Sequence, residues 1–233
     1  MTAAIIFGGL IALMLTGMPI SIALGLTVLA FMYLMTSVPV DTVALKLFTG
    51  IEKFEIMAIP FFILAGNFLT HGGVARRMIN FASSMVGHWH GGLGLAGVIA
   101  CALFAAVSGS SPATVVAIGS VILPAMVQQG FPKRFGAGVI TTSGALGILI
   151  PPSIVMVMYS VATSGITATG PDGQVVSAAS VGQLFIAGVV PGLILAAVLA
   201  AVTWWLAWRN DYPRLPRASW GARLVAFRKA ACF

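Results

Sequence analysis

The sequence predicts an all-α polytopic membrane protein with a re-entrant helical hairpin and a discontinuous helix. Of its 233 residues, 59% are hydrophobic and only 7% are charged, whereas about a quarter of the residues in soluble domains are charged. The basic residues fall in short segments between long apolar runs, as topology signals do in membrane proteins. Because the basic residues are spread in this way, the net charge of +7 does not indicate a nucleic-acid partner. The lipid bilayer is the first partner that we expect.

The N-terminal part is predicted to hold three membrane helices and one surface segment. Apolar runs cover 3–15, 20–35 and 56–69. Between the last two, the segment 41–55 carries charges among apolar residues at helical spacing, which favours a helix at the membrane surface. Asn67 is expected to form a helix–helix hydrogen bond, and a position facing a transport path is the alternative.

A second amphipathic segment follows these helices. It opens at Arg76, ends at Gly87, and is polar enough to lie along the membrane surface. The cluster His88-Trp89-His90 comes next. Because no further ligand stands at metal-binding spacing, we expect this cluster at the membrane interface rather than around a metal.

The polar tip Ser108-Gly109-Ser110-Ser111-Pro112-Ala113-Thr114 stands inside 78–132, a stretch without Asp, Glu, Lys or Arg. Glycine permits backbone angles that other residues avoid, and proline disfavours helix at the residue before it. One helix should therefore end before the tip and another begin at its proline. Each arm has roughly 15 to 17 residues, short of the ~30 Å hydrocarbon core. This favours a re-entrant hairpin over 91–130, and a spanning hairpin with an ordinary turn in water is the alternative.

A second interruption lies in the apolar run 135–163. The segment 144–153 reads Gly-Ala-Leu-Gly-Ile-Leu-Ile-Pro-Pro-Ser. Pro151 and Pro152 remove two N–H donors, so carbonyls before them lose their helical partners. The pattern predicts a discontinuous helix, and a purely structural kink is the alternative.

The last part of the chain is predicted as a polar loop over 166–182, a membrane helix over 183–208 and a basic tail over 209–233. If the basic segments at Arg76, at Lys133 and in the tail are all cytoplasmic, the hairpin returns to its own side and two crossings separate Lys133 from the tail. The loop is then periplasmic.

Both interruptions offer uncharged oxygen atoms. Freed carbonyls and hydroxyls are hard ligands suited to an alkali cation, and half-helix ends at mid-membrane recur in secondary transporters. We therefore expect sodium as the ion and no other cofactor. The serines of the tip have no base in the same apolar region, so no enzyme is predicted. Cys101 is expected in the core, and with Cys232 it forms no disulfide framework.

Three motifs resemble those of the large membrane subunit of TRAP transporters, the DctM family. They are Ile63-Leu64-Ala65-Gly66-Asn67, the hairpin tip, and Gly-Ile-Leu-Ile-Pro-Pro-Ser ending at Ser153. The resemblance implies a multi-pass permease of the bacterial inner membrane that imports organic acids, of the C4-dicarboxylate or sialic-acid type, by sodium symport. It also implies two protein partners, a small membrane subunit (DctQ type) and a periplasmic solute-binding protein (DctP type).

The resemblance further implies a sodium site. Oxygen atoms of Ser108 and Ser110 would come from the hairpin tip, and carbonyls of Gly147, Ile150 and Pro152 from the broken helix. The residues expected to support this site are Gly109, Ser111, Pro112, Thr114, Gly144, Pro151 and Ser153.

The same resemblance divides the chain into scaffold helices (1–72), an interfacial arm helix (73–89) and a transport part (90–165). Together they would form the first inverted repeat of an elevator fold of the ion-transporter superfamily. The second repeat is expected to be absent. A truncated, transport-inactive fragment or an assembly component is therefore the alternative to a permease subunit.

Overall fold

The predicted fold class, an all-α polytopic membrane protein, is confirmed by the computed structural model. The structure describes residues 2–36, 39, 41–164, 167–169 and 175–231. The chain forms two compact units, residues 1–53 and 54–233. Cys232 and residues 170–174 of the predicted polar loop lie outside the described residues.

The first unit contains three helices, α1 (Thr2–Leu15), α2 (Ile20–Met35) and α3 (Asp41–Ile51). The turn between α1 and α2 requires Gly17, whose φ of +81° is strained for residues with a side chain. Pro19 follows in an extended conformation and precedes the first turn of α2. Both of these helices expose large apolar side chains, as expected where lipid or another protein covers them.

The second unit holds the remaining elements. They are α4 (Phe54–His71), α5 (Val74–Val86), α6 (Gly92–Ser108), α7 (Ser111–Gln128), α8 (Lys133–Gly144), α9 (Leu146–Leu149), α10 (Ile154–Thr163), β1 (Thr167–Thr169), β2 (Val175–Ser177), α11 (Val181–Arg209) and α12 (Trp220–Ala231). The two strands pair antiparallel, with Ala168 opposite Val176.

Three of these elements differ from the sequence-based expectation. The strands β1 and β2 lie in what was predicted as a polar loop, and α12 lies in what was predicted as a basic tail. Both strands are short runs rich in threonine and valine, residues that favour extended backbone. Helix α12 packs against α5, with the rings of Phe227 and Phe81 5.6 Å apart. The apolar residues of α12 are scattered among arginines, which hid the helix in the sequence.

Several helices have the length and composition of membrane spans. In the described part of the chain these are α4, α7 and α11, and the pair α8–α9 with α10 forms a fourth if its 43° bend lies within one span. The helix is interrupted between Leu149 and Ile154, at the prolines where the sequence predicts the break, and a single discontinuous membrane span stays a prediction. The hairpin arms α6 and α7 have 17 and 18 residues, or roughly 26 to 27 Å. Since α7 alone is long and apolar enough to cross a membrane, the re-entrant hairpin stays a prediction.

Helix α6 lies at the centre of the second unit. The buried cluster around it joins α6 to α5, α7 and α8. Phe104 and Cys101 are fully buried, which confirms the core position predicted for the cysteine. The other members include Met78, Ile79, Leu93, Ala96, Ala100, Ile118, Ile122, Met126 and Ile140. Small residues on α6 let its neighbours approach closely, as in other membrane helix bundles.

Aromatic contacts and a hydrogen bond connect the loops at one end of the second unit. The ring of Tyr212, after α11, lies 5.3 Å from the ring of Phe131 and 4.9 Å from that of Phe135. The Leu215 N–H donates to the Gly87 carbonyl at 2.9 Å. The α5–α6 turn, the α7–α8 turn and the segment after α11 therefore lie at the same end of the second unit.

This arrangement predicts the membrane topology. Single cysteines at Gln129 and Asp211 should be labelled from the cytoplasm, and one at Ala179 from the opposite side, because α11 has 29 residues and is about 43 Å long. The measurement is labelling with an impermeant maleimide in intact and inverted membranes, after Cys101 and Cys232 are replaced by alanine. Labelling of positions 129 and 179 from one side would contradict this topology.

Candidate functional site

The hairpin tip is built by a short reversal between α6 and α7. Gly109 ends α6 with φ +61° and donates its N–H to the Ala105 carbonyl at 3.0 Å. Ser110 is extended and begins α7, where its hydroxyl accepts the Ala113 N–H at 3.4 Å. Pro112 stands in the first turn, where its missing N–H costs little.

Buried hydroxyl groups form a small network at this tip. Ser108 and Thr114 are fully buried. The Thr114 hydroxyl lies 2.8 Å from the Ser110 carbonyl and 3.2 Å from Ser108 Oγ. Since a carbonyl only accepts, Thr114 donates there and Ser108 must donate to Thr114. Ser108 Oγ also accepts the Ser110 N–H at 3.4 Å, which leaves one of its lone pairs free.

The break between α9 and α10 frees carbonyl groups. In a continuous helix Gly147 and Ile148 would receive hydrogen bonds from residues 151 and 152, but both are prolines without an N–H. The Ser153 hydroxyl donates to the Ile148 carbonyl at 2.7 Å. The Gly147 carbonyl has no such replacement within the described residues.

A hydrogen bond joins the break to the hairpin tip. The Ile154 N–H would serve the Ile150 carbonyl in a continuous helix, but it donates to the Gly109 carbonyl at 3.1 Å. The Met156 N–H likewise donates to Ser153 Oγ, at 3.4 Å, rather than to Pro152. The carbonyls of Ile150 and Pro152 therefore lose their helical donors at the same junction.

Glycines allow the two breaks to meet. A Cβ atom on Gly147 would lie 2.9 Å from the Ser111 nitrogen, and one on Gly109 would lie 2.5 Å from the Pro152 carbonyl oxygen. A Cβ atom on Gly144 would collide with Val115 on α7. Each of these glycines is therefore fixed by backbone or side-chain contact between the hairpin and the broken helix.

The structure also shows supporting residues that sequence reasoning missed. A Cβ atom on Gly188 of α11 would lie 2.6 Å from the Leu149 carbonyl oxygen, and one on Gly192 would lie 3.0 Å from the Ile150 side chain. Two glycines four residues apart in an apolar helix are the signal that could have found them. Ser143 Oγ is buried and has no hydrogen-bond partner in the described part of the chain.

The five predicted sodium ligands lie on the two segments that meet at this junction. Ser108 and Ser110 belong to the tip, and Gly147, Ile150 and Pro152 to the break. The junction thus combines a hydroxyl lone pair with carbonyls that lack helical donors, and its named residues carry no formal charge. Such uncharged oxygens suit a monovalent hard cation. Among the described residues, no group of three or more His, Cys, Asp or Glu could hold a metal ion.

Asn67 behaves differently from the prediction. Its side chain is exposed, and the helix–helix hydrogen bond expected for it is not found among the described residues. The neighbouring Gly66 is buried, and a Cβ atom there would lie 3.5 Å from Ser108 Cβ. Because helix α4 meets the tip through a glycine, the adjacent amide points away from this contact.

Comparisons with known proteins agree with the resemblance. The family model "Tripartite ATP-independent periplasmic transporter, DctM component" matches residues 7–232. The C4-dicarboxylate TRAP transporter large permease protein DctM of Rhodobacter capsulatus is 82% identical over 99% of this chain and 52% of that protein. The protein of the same name from Pseudomonas aeruginosa is 49% identical over 89% of this chain and 45% of its own length.

A relative named for another substrate matches as well. The isethionate TRAP transporter permease protein DctMQ of Oleidesulfovibrio alaskensis is 44% identical over 89% of this chain and 31% of that protein. The chain spans about half the length of the two C4-dicarboxylate permeases.

The close approach at the junction predicts a stability difference between two glycines. Gly147→Ala should lower the free energy of unfolding by about 1–3 kcal/mol, because its methyl group would press on the Ser110–Ser111 peptide. Gly138→Ala, in α8, is the matched control, since a Cβ atom there meets nothing within 4 Å. The control should be neutral or more stable by about 0.5–1 kcal/mol. Thermal unfolding in detergent measures both, and equal shifts would contradict the packing.

Proposed function

The chain belongs to the DctM family of tripartite ATP-independent periplasmic transporters, and we propose that it forms a sodium-binding half of a C4-dicarboxylate permease. Its family and candidate spans make it an integral protein of the bacterial inner membrane. One observation carries the proposal: the hydrogen bond from Ile154 to Gly109 joins the two helix breaks and leaves the Ile150 carbonyl without its helical donor.

The ends of four half-helices support both an ion and an anionic substrate. Helices α6 and α9 end at the junction, and helix C-termini carry partial negative charge that favours a cation. Helices α7 and α10 begin there, and their N-termini favour a carboxylate. Discontinuous helices in secondary transporters use their ends in this way. The substrate carboxylate and the sodium ion would therefore bind near each other without a charged side chain.

Sodium fits the junction better than a proton as the coupling ion. A proton carrier needs a titratable side chain, and the oxygens at the junction belong to serines, a threonine and backbone carbonyls. Hydroxyls and carbonyls with free lone pairs are ligands for a hard cation instead. Sodium binding would hold the tip and the break together, and its release would weaken their contact.

The proposed movement is of the elevator type. The hairpin α6–α7 and the broken helix α8–α10 would move as one body, because the glycine contacts between them leave no room for independent motion. Helix α5 would act as the arm that connects this body to the scaffold. The hairpin would be re-entrant, with its polar tip in a protein-lined cavity, where irregular backbone is tolerated at membrane depth.

The relatives support the proposed substrate and partners. The 82% and 49% identical proteins are named as C4-dicarboxylate permeases, which favours a dicarboxylate over sialic acid. A small membrane subunit of the DctQ type and a periplasmic binding protein of the DctP type would complete the transporter.

The hydroxyl group of Ser110 at the hairpin tip gives a direct test of sodium binding. In a permease that carries both halves, Ser110→Ala should raise the sodium concentration for half-maximal uptake by about tenfold, equivalent to about 1.4 kcal/mol for one lost ligand. Uptake of labelled succinate into proteoliposomes, with both partner proteins present, measures this change.

The control is a second serine that caps a helix in the same way. Ser180 begins α11, and its hydroxyl accepts the Gln183 N–H at 3.4 Å, as Ser110 does for Ala113. Ser180→Ala should cost a similar cap energy, about 1 kcal/mol, and leave the sodium response unchanged. If both variants respond to sodium as the unmodified permease does, the site is wrong.

A further inference from the structure

A small cavity lies where the α5–α6 turn meets the end of α11. It is open to the surface, has a volume of about 290 Å3 and is lined by His88, Trp89, His90, Trp204 and Arg214. Every one of these side chains is aromatic or basic, and no carboxylate of the described residues lines the cavity. The sodium proposal gives it no role, since none of its residues belongs to the hairpin tip or the helix break.

The backbone around the cavity is firmly held. Gly91 has φ +64°, and a Cβ atom there would collide with Ala207 of α11. The Leu215 N–H donates to the Gly87 carbonyl at 2.9 Å. Because these contacts fix the turn against α11 and the segment after it, the cavity is a preformed feature of the fold.

Among the described residues, no carboxylate pairs with the positive charge at the cavity. The Arg214 guanidinium contacts Nε2 of His90, and Arg209 stands over the Trp205 ring, 5.7 Å from its centroid. Neither arginine forms a salt bridge with a carboxylate in the parts of the chain that the structure describes. An anion with several acceptor oxygens would supply the missing counter-charge and could bind the guanidinium in a bidentate manner.

The position of the cavity along the bundle identifies the source of such an anion. Apolar helix α6 begins at Gly92, and apolar helix α11 ends at Arg209, so the cavity lies at the ends of two apolar helices, where they would leave the hydrocarbon region. Trp89 and Trp204 are 51% and 43% exposed, and such tryptophans mark the headgroup level. Phospholipid phosphates lie at this level, and basic pockets between membrane helices bind them.

We propose that this cavity binds the phosphodiester headgroup of an anionic phospholipid, with Arg214 as the principal contact. His90 positions the guanidinium, and the two tryptophans flank the glycerol and the first part of the acyl chains. A metal ion is not the ligand that this geometry favours. Its two histidines are joined by no third His, Cys, Asp or Glu of the described residues, and the Arg214 guanidinium contacts one of them, His90.

The test is lipid binding to the purified, delipidated protein. Short-chain phosphatidylglycerol is titrated while bound lipid is counted by native mass spectrometry, and phosphatidylcholine and inorganic phosphate are titrated in parallel. Arg214→Gln should weaken phosphatidylglycerol binding by about fivefold, the effect of one arginine near an anionic headgroup. Arg217→Gln is the matched control, because it removes the same charge three residues away and does not line the cavity.

Each outcome of the lipid titrations either supports or overturns the proposed lipid site. Preference for phosphatidylglycerol over phosphatidylcholine, lost in Arg214→Gln and kept in Arg217→Gln, supports the site. Equal losses in the two variants would show general attraction to a basic surface and overturn it. Inorganic phosphate that competes with the lipid at equal concentration would overturn the lipid assignment. Near-UV circular dichroism of both variants establishes that the tryptophan environment, and thus the cavity, is intact.

Discussion

The structure depends on one constraint, which is that backbone N–H and carbonyl groups cannot be left without partners in hydrocarbon. The chain breaks its helices twice between apolar segments, and a hydrogen bond joins the two breaks. Ile154 would otherwise have donated within its own helix, but it donates to Gly109 at the hairpin tip. The tip thus gains a donor, and the broken helix keeps carbonyls free for a ligand.

Glycine makes this pairing possible. At Gly147 and Gly109 the backbone of one segment touches the backbone of the other, and a single methyl group would separate them. Helix α11 packs against the broken helix through Gly188 and Gly192. The free carbonyls therefore stand in a frame made of backbone contacts, which is stiffer than one made of flexible side chains. A site that must hold a dehydrated monovalent cation benefits from such preorganisation.

The charged residues lie away from the junction of the hairpin tip and the broken helix. The candidate ion site is made of neutral oxygens, whereas the arginines gather near the ends of the helices and in the segment after α11. Near the α5–α6 turn they meet tryptophans and histidines in a preformed cavity, where a lipid phosphate would balance them. Since the same turn connects the proposed arm helix to the hairpin, a bound headgroup would stabilise the point from which the transport part moves.

The sequence by itself determined the class of the protein and the places where its helices break. The composition identified a membrane protein, since a chain in which only 7% of the residues are charged cannot cover the surface of a soluble domain. The glycine and prolines at Gly109, Pro112, Pro151 and Pro152 determined the helix breaks through local backbone geometry. Only the tertiary structure decided that the two breaks share a hydrogen bond, that α11 supports them, and that α12 packs on α5. These features depend on contacts between residues far apart in the chain. Local propensity carries no information about such contacts, because a glycine needed for close approach looks like any other glycine until its neighbour is in place.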